Sequence, residues 1–284
     1  MAVVLALLSS VLWGASDFLG GLLSRRRAAG LVVGASQAVG LVAITLVALP
    51  AGAFDDPTGY LPWAVGAGLA GLVGLVCFYA ALASGTMGVV SPIAALGVVV
   101  PVLVGLARGE RPETVQLVGI AVAIVGVVLA SGPELAGRAG VRPVLLAAVA
   151  ALGFGLALLF IAEGSRSSTL MTLVTMRATS VSVAALALVL AVRRVSGGRL
   201  ERHRLRLDRP DLLLVAVIGI GDVGANLAFG LASTRDDVSI VAVLGSLYPV
   251  VTVLLARVVL RERLGSAQSA GVALALGGVA LIAG

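Results

Sequence analysis

The chain has 284 residues, of which 60% are hydrophobic and 12% charged, with a mean hydropathy of +1.13. That composition lies outside the range of soluble domains and marks a polytopic membrane protein. The formal net charge of +6 rests on 20 arginines and no lysine, crowded into short gaps between apolar runs, so a basic domain that could hold nucleic acid is excluded.

Ten apolar runs of about 20 residues, each long enough to cross a bilayer as a helix, are predicted: 2–23, 31–51, 61–83, 86–107, 114–131, 143–163, 168–192, 211–233, 236–257 and 264–284. Span 1 has no basic segment before it and is expected to be retained, not cleaved as a signal peptide. It carries Trp13 and Asp17 one helical turn apart, so an aromatic face and a carboxylate share one side. Two readings stay open: a wall for a cationic or amphipathic solute, or a carboxylate near the span end reaching water and Arg25. Span 2 carries Gln37. Span 3 contains "GAGLAG" (66–71), the single cysteine Cys77 and Tyr79, and span 4 contains Pro101. One cysteine excludes an intrachain disulfide.

Span 7 carries Arg177 near its middle, and the loop after it, 193–211, holds seven arginines and the lone His203. A single histidine without a second ligand type nearby gives no metal site. Span 8 contains "GIGDVGAN" (219–226), which fits the dinucleotide fingerprint G-x-G-x-x-G. The run has no strand before the glycines and no turn to end one, so the glycines read as close-packing surfaces between helices. Asp222 and Asn226 lie four residues apart on one face of this span, and Asp222 and Arg177 fall at matching depth on consecutive antiparallel spans. Intramembrane charges cost about 2.5 to 3.5 kcal/mol each near a helix centre, so they pair or mark a pathway. The pair is read either as a tie between spans 7 and 8 or as a cavity site where Asp222 accepts a proton or a solute group. Tyr79 and Tyr248 are either hydrogen-bond donors in that cavity or packed aromatics.

"TMGVVSPIAALGVVVPV" (86–102) aligns without gaps on "TRDDVSIVAVLGSLYPV" (234–250), and "GERPETVQLVGIAVAIVGVV" (109–128) falls on "RERLGSAQSAGVALALGGVA" (261–280). The match pairs Pro101 with Pro249, Glu110 with Glu262, Gly119 with Gly271 and Gly126 with Gly278. A repeat of five spans puts the second copy in the membrane the opposite way up, the arrangement that secondary transporters use. The expected architecture is all-α, with residues 1–131 and 143–284 as two inverted five-helix repeats. Pro101 and Pro249 would kink spans 4 and 9 in mid-span and serve a gate. Glu110 and Glu262 are assigned a structural role, tying the 4–5 and 9–10 turns to the helix that follows.

The five-plus-five spans, the paired proline-to-glutamate series ("VPVLVGLARGER", "YPVVTVLLARVVLRER"), the glycine-spaced helix after each and "LWGASDFLGG" (12–21) resemble the EamA-type branch of the drug/metabolite transporter superfamily. The resemblance implies that spans 1–4 and 6–9 line a central cavity, that spans 5 and 10 pack peripherally, and that a small metabolite or amphipathic compound is moved by proton coupling or facilitated exchange. Gln37 stands where such proteins often place an arginine, and its counterpart here is Arg177. No catalytic residue and no cofactor are expected: the spans hold no histidine and no Ser-Lys pair, and no G-x-x-x-x-G-K-[ST] loop for ATP is present. A channel or a purely structural bundle is the alternative, although no ring of like charges suggests a filter. Expected partners are a small-molecule solute and the lipid bilayer, with a homodimer as an alternative to a monomer. Fifteen arginines, counting Arg257 at the end of span 9, fall in loops 1–2, 3–4, 5–6, 7–8 and 9–10 and four in the others, which predicts both termini outside the plasma membrane.

Overall fold

A computed structural model describes residues 1–84, 90, 93–130, 141–194, 206–259 and 265–283. Glu262 and most of the arginine-rich loop, including His203, lie outside the described residues. The described residues are overwhelmingly helical and contain no strand. The elements are α1 (Ala2–Ser24), α2 (Ala29–Ala48), α3 (Leu61–Ser84), α4 (Val99–Ala107) and α5 (Thr114–Ala130). A continuous helical stretch Val141–Arg194 follows, broken by the extended Ser168 into α6 (141–167) and α7 (169–194). The second half ends with α8 (Arg209–Ser233), α9 (Val238–Gly245), α10 (Tyr248–Val259) and α11 (Ser266–Ala283).

Five segments are long and apolar enough to cross a membrane, Ala2–Ser24, Ala29–Ala48, Thr58–Ala83, Val141–Leu190 and Arg209–Ser233, and shorter apolar helices accompany them. Their outward faces are apolar: Val4, Val42, Leu46, Leu186 and Leu213 are exposed, while Asp17, Gln37, Arg177 and Asn226 are buried. An apolar exterior around a polar interior suits hydrocarbon, where every polar group needs a partner within the protein. Serines meet that need locally. Ser9 and Ser10 donate to the carbonyls of Ala6 and Leu7 at 2.7 and 2.8 Å, one turn back along α1.

Expected spans 4 and 9 are not regular helices. Residues 93–95 pass into a 3-10 turn, Leu96–Val98, before α4 begins. The ninth breaks at Ser246 and Leu247, between α9 and α10. Pro101 and Pro249 lie inside spans 4 and 9, in the first turns of α4 and α10, each about one turn after the irregular residues. In each case the irregular turn falls at the carbonyl, Gly97 or Gly245, that the proline's missing amide would otherwise bond.

Glycines set the close contacts between helices. A Cβ on Gly126 of α5 would stand 2.3 Å from the Ala275 nitrogen of α11, and one on Gly278 of α11 2.6 Å from the Ala123 nitrogen of α5. Gly119 approaches Gly278 while Gly126 approaches Gly271. These four glycines are repeat mates, so the contact is self-complementary, and the pairing of low with high numbers makes α5 and α11 antiparallel. In α8, a Cβ on Gly219 would meet the Ser36 carbonyl oxygen at 2.4 Å and one on Gly221 the Ser16 hydroxyl at 2.5 Å. "GIGDVGAN" thus serves to bring α8 against α1 and α2.

Candidate functional site

At mid-depth of α2, α7 and α8 three polar side chains form one buried network. The Arg177 guanidinium lies 2.8 Å from Asp222 Oδ2 and donates through Nη1 to Gln37 Oε1. Gln37 Nε2 donates back to Asp222 Oδ2 at 3.3 Å, closing a triangle. Arg177 is 2% exposed and Gln37 4%, so their charge and dipole depend on one another rather than on water. Asn226 Nδ2 donates to the Asp222 carbonyl at 2.6 Å and to Oδ1 at 3.3 Å, fixing the carboxylate from one turn along α8. Among the described residues Arg177 Nε and Nη2 have no hydrogen-bond partner beyond the ion-pair contact of Nη2 with Asp222, and Nε lies against Gly40, where a Cβ would be 3.5 Å away.

Asp17 of α1 stands across from this network and takes part in no ion pair among the described residues. Its neighbour is Tyr79 of α3, whose hydroxyl is 3.5 Å from Oδ1 and from the Ser16 carbonyl. Tyr79 reaches that point because residue 20 is glycine: a Cβ there would stand 2.2 Å from the hydroxyl oxygen. Tyr248 of α10 is 9% exposed, and its hydroxyl finds no hydrogen-bond partner among the described residues.

These residues surround one cavity of about 90 Å³, measured as the space open to water centres. At about 10–15 Å³ per water on that measure, it holds a small solute or roughly six to nine waters. The lining includes Trp13, Asp17, Gln37, Arg177, Asp222, Asn226 and Tyr248 among the expected site residues, and Ser246 from the break between α9 and α10. Tyr79 reaches the cavity only through Asp17. Trp13, Phe154 and Tyr248 supply aromatic faces, braced by neighbours: Trp13 lies tilted against Phe229 at 5.7 Å, and Phe154 stands edge-on to Phe78 and Tyr248 at 5.5 and 6.5 Å.

The two halves meet the cavity with matching backbones and different side chains. A Cβ on Gly219 would lie 2.4 Å from the Ser36 carbonyl and 2.9 Å from Val39 of α2, just as one on Gly68 would lie 2.6 Å from the Met176 carbonyl and 2.8 Å from Thr179 of α7. Counting from these glycines, Asp222 and Asn226 of α8 correspond to Gly71 and Leu75 of α3. Gly14 of α1 packs on Tyr248 and Val251, and Gly155 of α6 on Gly97 and Val100; matching these two glycines sets Trp13 and Asp17 against Phe154 and Leu158. All eight line the cavity. The α1–α8 wall is therefore acidic and the α3–α6 wall apolar.

Contacts at the helix ends sort the loops into two sets. Arg27, after α1, donates through Nε to Asp211 at 2.8 Å and also pairs with Asp208. Asp208 and Asp211 form the capping box that starts α8. Burial works against the Arg27 charge, but the hydrogen bonds and charges of the two aspartates outweigh it and hold its pKa above the ordinary value. At the other end Glu110, after α4, accepts from the amides of Val238 and Ser239 at 3.0 and 3.1 Å. It caps α9 in the other half instead of tying its own turn to the helix that follows. Arg108 pairs with Glu163 at the end of α6, where Arg166 also approaches.

A family model described as the EamA-like transporter family matches residues 1–132 and again 141–284. The chain belongs to the EamA-like transporter family. It is thus a multi-pass membrane protein of a transporter family within the drug/metabolite transporter superfamily. One crystal structure shares the fold of this EamA-like chain with a TM-score of 0.77 at 22% identity, over 99% of this chain and 95% of that one. No curated protein matches the sequence.

Three features of the EamA-like site escaped sequence reading. Phe154 lies in a run with nothing to distinguish it from packed aromatics. Ser246, next to Gly245 and three residues before Pro249, carried a usable signal, since small residues before a proline mark a helix break. Gln37 and Arg177 were legible as counterparts in the two halves, but their hydrogen bond was not, since an alignment matches positions and reports no contact between them.

Proposed function

We propose that the protein is a secondary carrier, moving a small metabolite or amphipathic compound across the cell membrane by alternating access of the central cavity. Ten spans in two inverted repeats, residues 1–131 and 143–284, would form it, with both termini outside. The observation that carries this reading is the cavity itself: it is walled by α1, α2, α3, α6, α7, α8 and the α9–α10 break, and holds the Arg177–Asp222–Gln37 network at its side. Inward-facing charges at mid-depth in lipid mark a pathway more often than a packing device. A helix broken beside a cavity is a recurrent feature of such sites.

Asp222 is the group through which a proton would couple, because it opens on the cavity while keeping a cation and two amides within reach. The test is uptake into proteoliposomes of purified protein, with and without an imposed pH gradient, screening amino acids, nucleosides and organic cations by competition. Uptake accelerated by the gradient and lost in Asp222→Asn is the expected result. Saturable uptake indifferent to the gradient makes the protein a facilitator and leaves Arg177–Asp222 as a structural tie; no saturable uptake of any solute overturns the carrier reading.

A further inference from the structure

Reading the cavity as the solute site leaves its chemistry to be assigned, and the lining charges decide it. Three charged side chains border the space, two carboxylates and one guanidinium. Arg177 is engaged by Asp222 at 2.8 Å and by Gln37, and its free Nε faces Gly40. An incoming anion would find that charge already balanced by the Asp222 carboxylate. Among the described residues Asp17 has no such partner: it is 8% exposed, faces the space, and meets the Tyr79 hydroxyl at a long 3.5 Å. A buried carboxyl without a cation either holds a proton or is relieved by a cationic ligand that displaces it, whereas an anion would add to its cost.

Three further observations agree. Trp13, one turn from Asp17, and Phe154 and Tyr248 offer ring faces around the same space, each fixed by another aromatic. The carbonyl end of α9, the negative end of its dipole, stops at Ser246 on the cavity wall. The Tyr248 hydroxyl is buried, unpartnered and part of the lining. Opposite the acidic α1–α8 wall stand Leu75, Phe154, Ala157 and Leu158, which take an apolar body.

From this arrangement we infer that the cavity binds a small amphipathic organic cation of the ammonium class, with Asp17 as its counter-charge, Trp13 over its head group and the α3–α6 wall against its apolar part. Asp222 holds Arg177 and plays the lesser part in binding the cation.

The experiment is equilibrium binding to the full chain in detergent, using three probes of one shape: choline, its uncharged carbon isostere 3,3-dimethylbutan-1-ol, and the anion 3,3-dimethylbutanoate. Choline should bind at least roughly tenfold tighter than the other two, as a cation over aromatic faces and beside a buried carboxylate demands. Asp17→Asn should remove that preference while Asp17→Glu largely keeps it, with both variants monodisperse on gel filtration. Equal binding of choline and its isostere, preference for the anion, unaltered choline binding in Asp17→Asn, or no choline binding by monodisperse wild type each overturns the inference. The outcome is separable from the carrier reading: uptake of another solute without choline binding refutes only the cation, and choline binding without uptake of any solute refutes only the carrier.

Discussion

Replacing Arg177 by glutamine tests the polar network most directly, because the structure also specifies the rescue. The substitution removes the cation 2.8 Å from Asp222 and leaves a carboxylate facing two amides. Breaking one partner from a buried ion pair costs about 3–5 kcal/mol, and the Asp222 side chain, 16% exposed toward the cavity, places the expected loss near the lower figure. Gln37 Nε2 is already 3.3 Å from the same carboxylate oxygen. Arginine at position 37 can therefore deliver its charge to Asp222 from α2 instead of α7, with glutamine at 177 taking the complementary place. Arg177→Gln should lower the thermal midpoint of the detergent-purified protein clearly, and the Gln37→Arg, Arg177→Gln exchange should recover most of the loss. The readout is gel-filtration survival after heating, compared as a double-mutant cycle. An exchange variant as labile as Arg177→Gln alone would refute the triangle, since the two positions would then not be interchangeable around one carboxylate.

Other expectations follow from particular contacts. Gly126→Leu should destabilise the α5–α11 pair by about 1–3 kcal/mol, because the first added atom would meet backbone at 2.3 Å and backbone cannot rotate away; an unchanged thermal midpoint would refute that packing. Glu110→Ala should cost about 0.5–2 kcal/mol through loss of the α9 cap, and Gly105→Ala should mimic it, since its methyl would fall on the Glu110 carboxylate; thermal midpoints that separate the two variants would sink the capping account. Pro249→Ala restores an amide at the start of α10 that could carry helix across Ser246 and Leu247, and should slow uptake per molecule more than it lowers membrane abundance. Equal losses of both would assign the proline to folding.

The helices were legible because lipid imposes long apolar runs, and the glycine patterns because close approach admits little else. The residues 219–226 were readable as a packing surface for that reason alone. The irregular helices were half legible: Pro101 and Pro249 announced a disturbance about one turn upstream, but whether it becomes a 3-10 turn, as at Leu96–Val98, or an interruption, as at Ser246 and Leu247, has no one-letter signature. Glu110 shows a different kind of failure. Its exit position in the sequence suggested a local role, whereas its partners lie 128 and 129 residues away, and nothing in a single chain reports which distant helix end is open to a carboxylate. Asp208 and Asp211 carried a capping signature that spacing alone could have exposed, but their shared partner Arg27 could not be chosen from among the arginines without the fold.

The cavity lining explains why the duplicated packing was easier to see than the site. Contacts that hold the halves together recur in both, as Gly219 on Ser36 and Gly68 on Met176 do, so they leave a repeat. The residues that would meet a solute differ between the halves: Asp17 where the other half has Leu158, Asp222 and Asn226 where it has Gly71 and Leu75, Gln37 where it has Arg177. A carrier of the kind proposed needs both properties. Equivalent packing keeps two inverted arrangements close in energy, so that binding of the solute can tip one into the other. A cavity lined equivalently on both walls would have no preferred orientation for an amphipathic solute. Placing both carboxylates on the antiparallel pair α1 and α8 gives it one, and keeps them on a single packed unit while the opposite wall supplies only apolar surface.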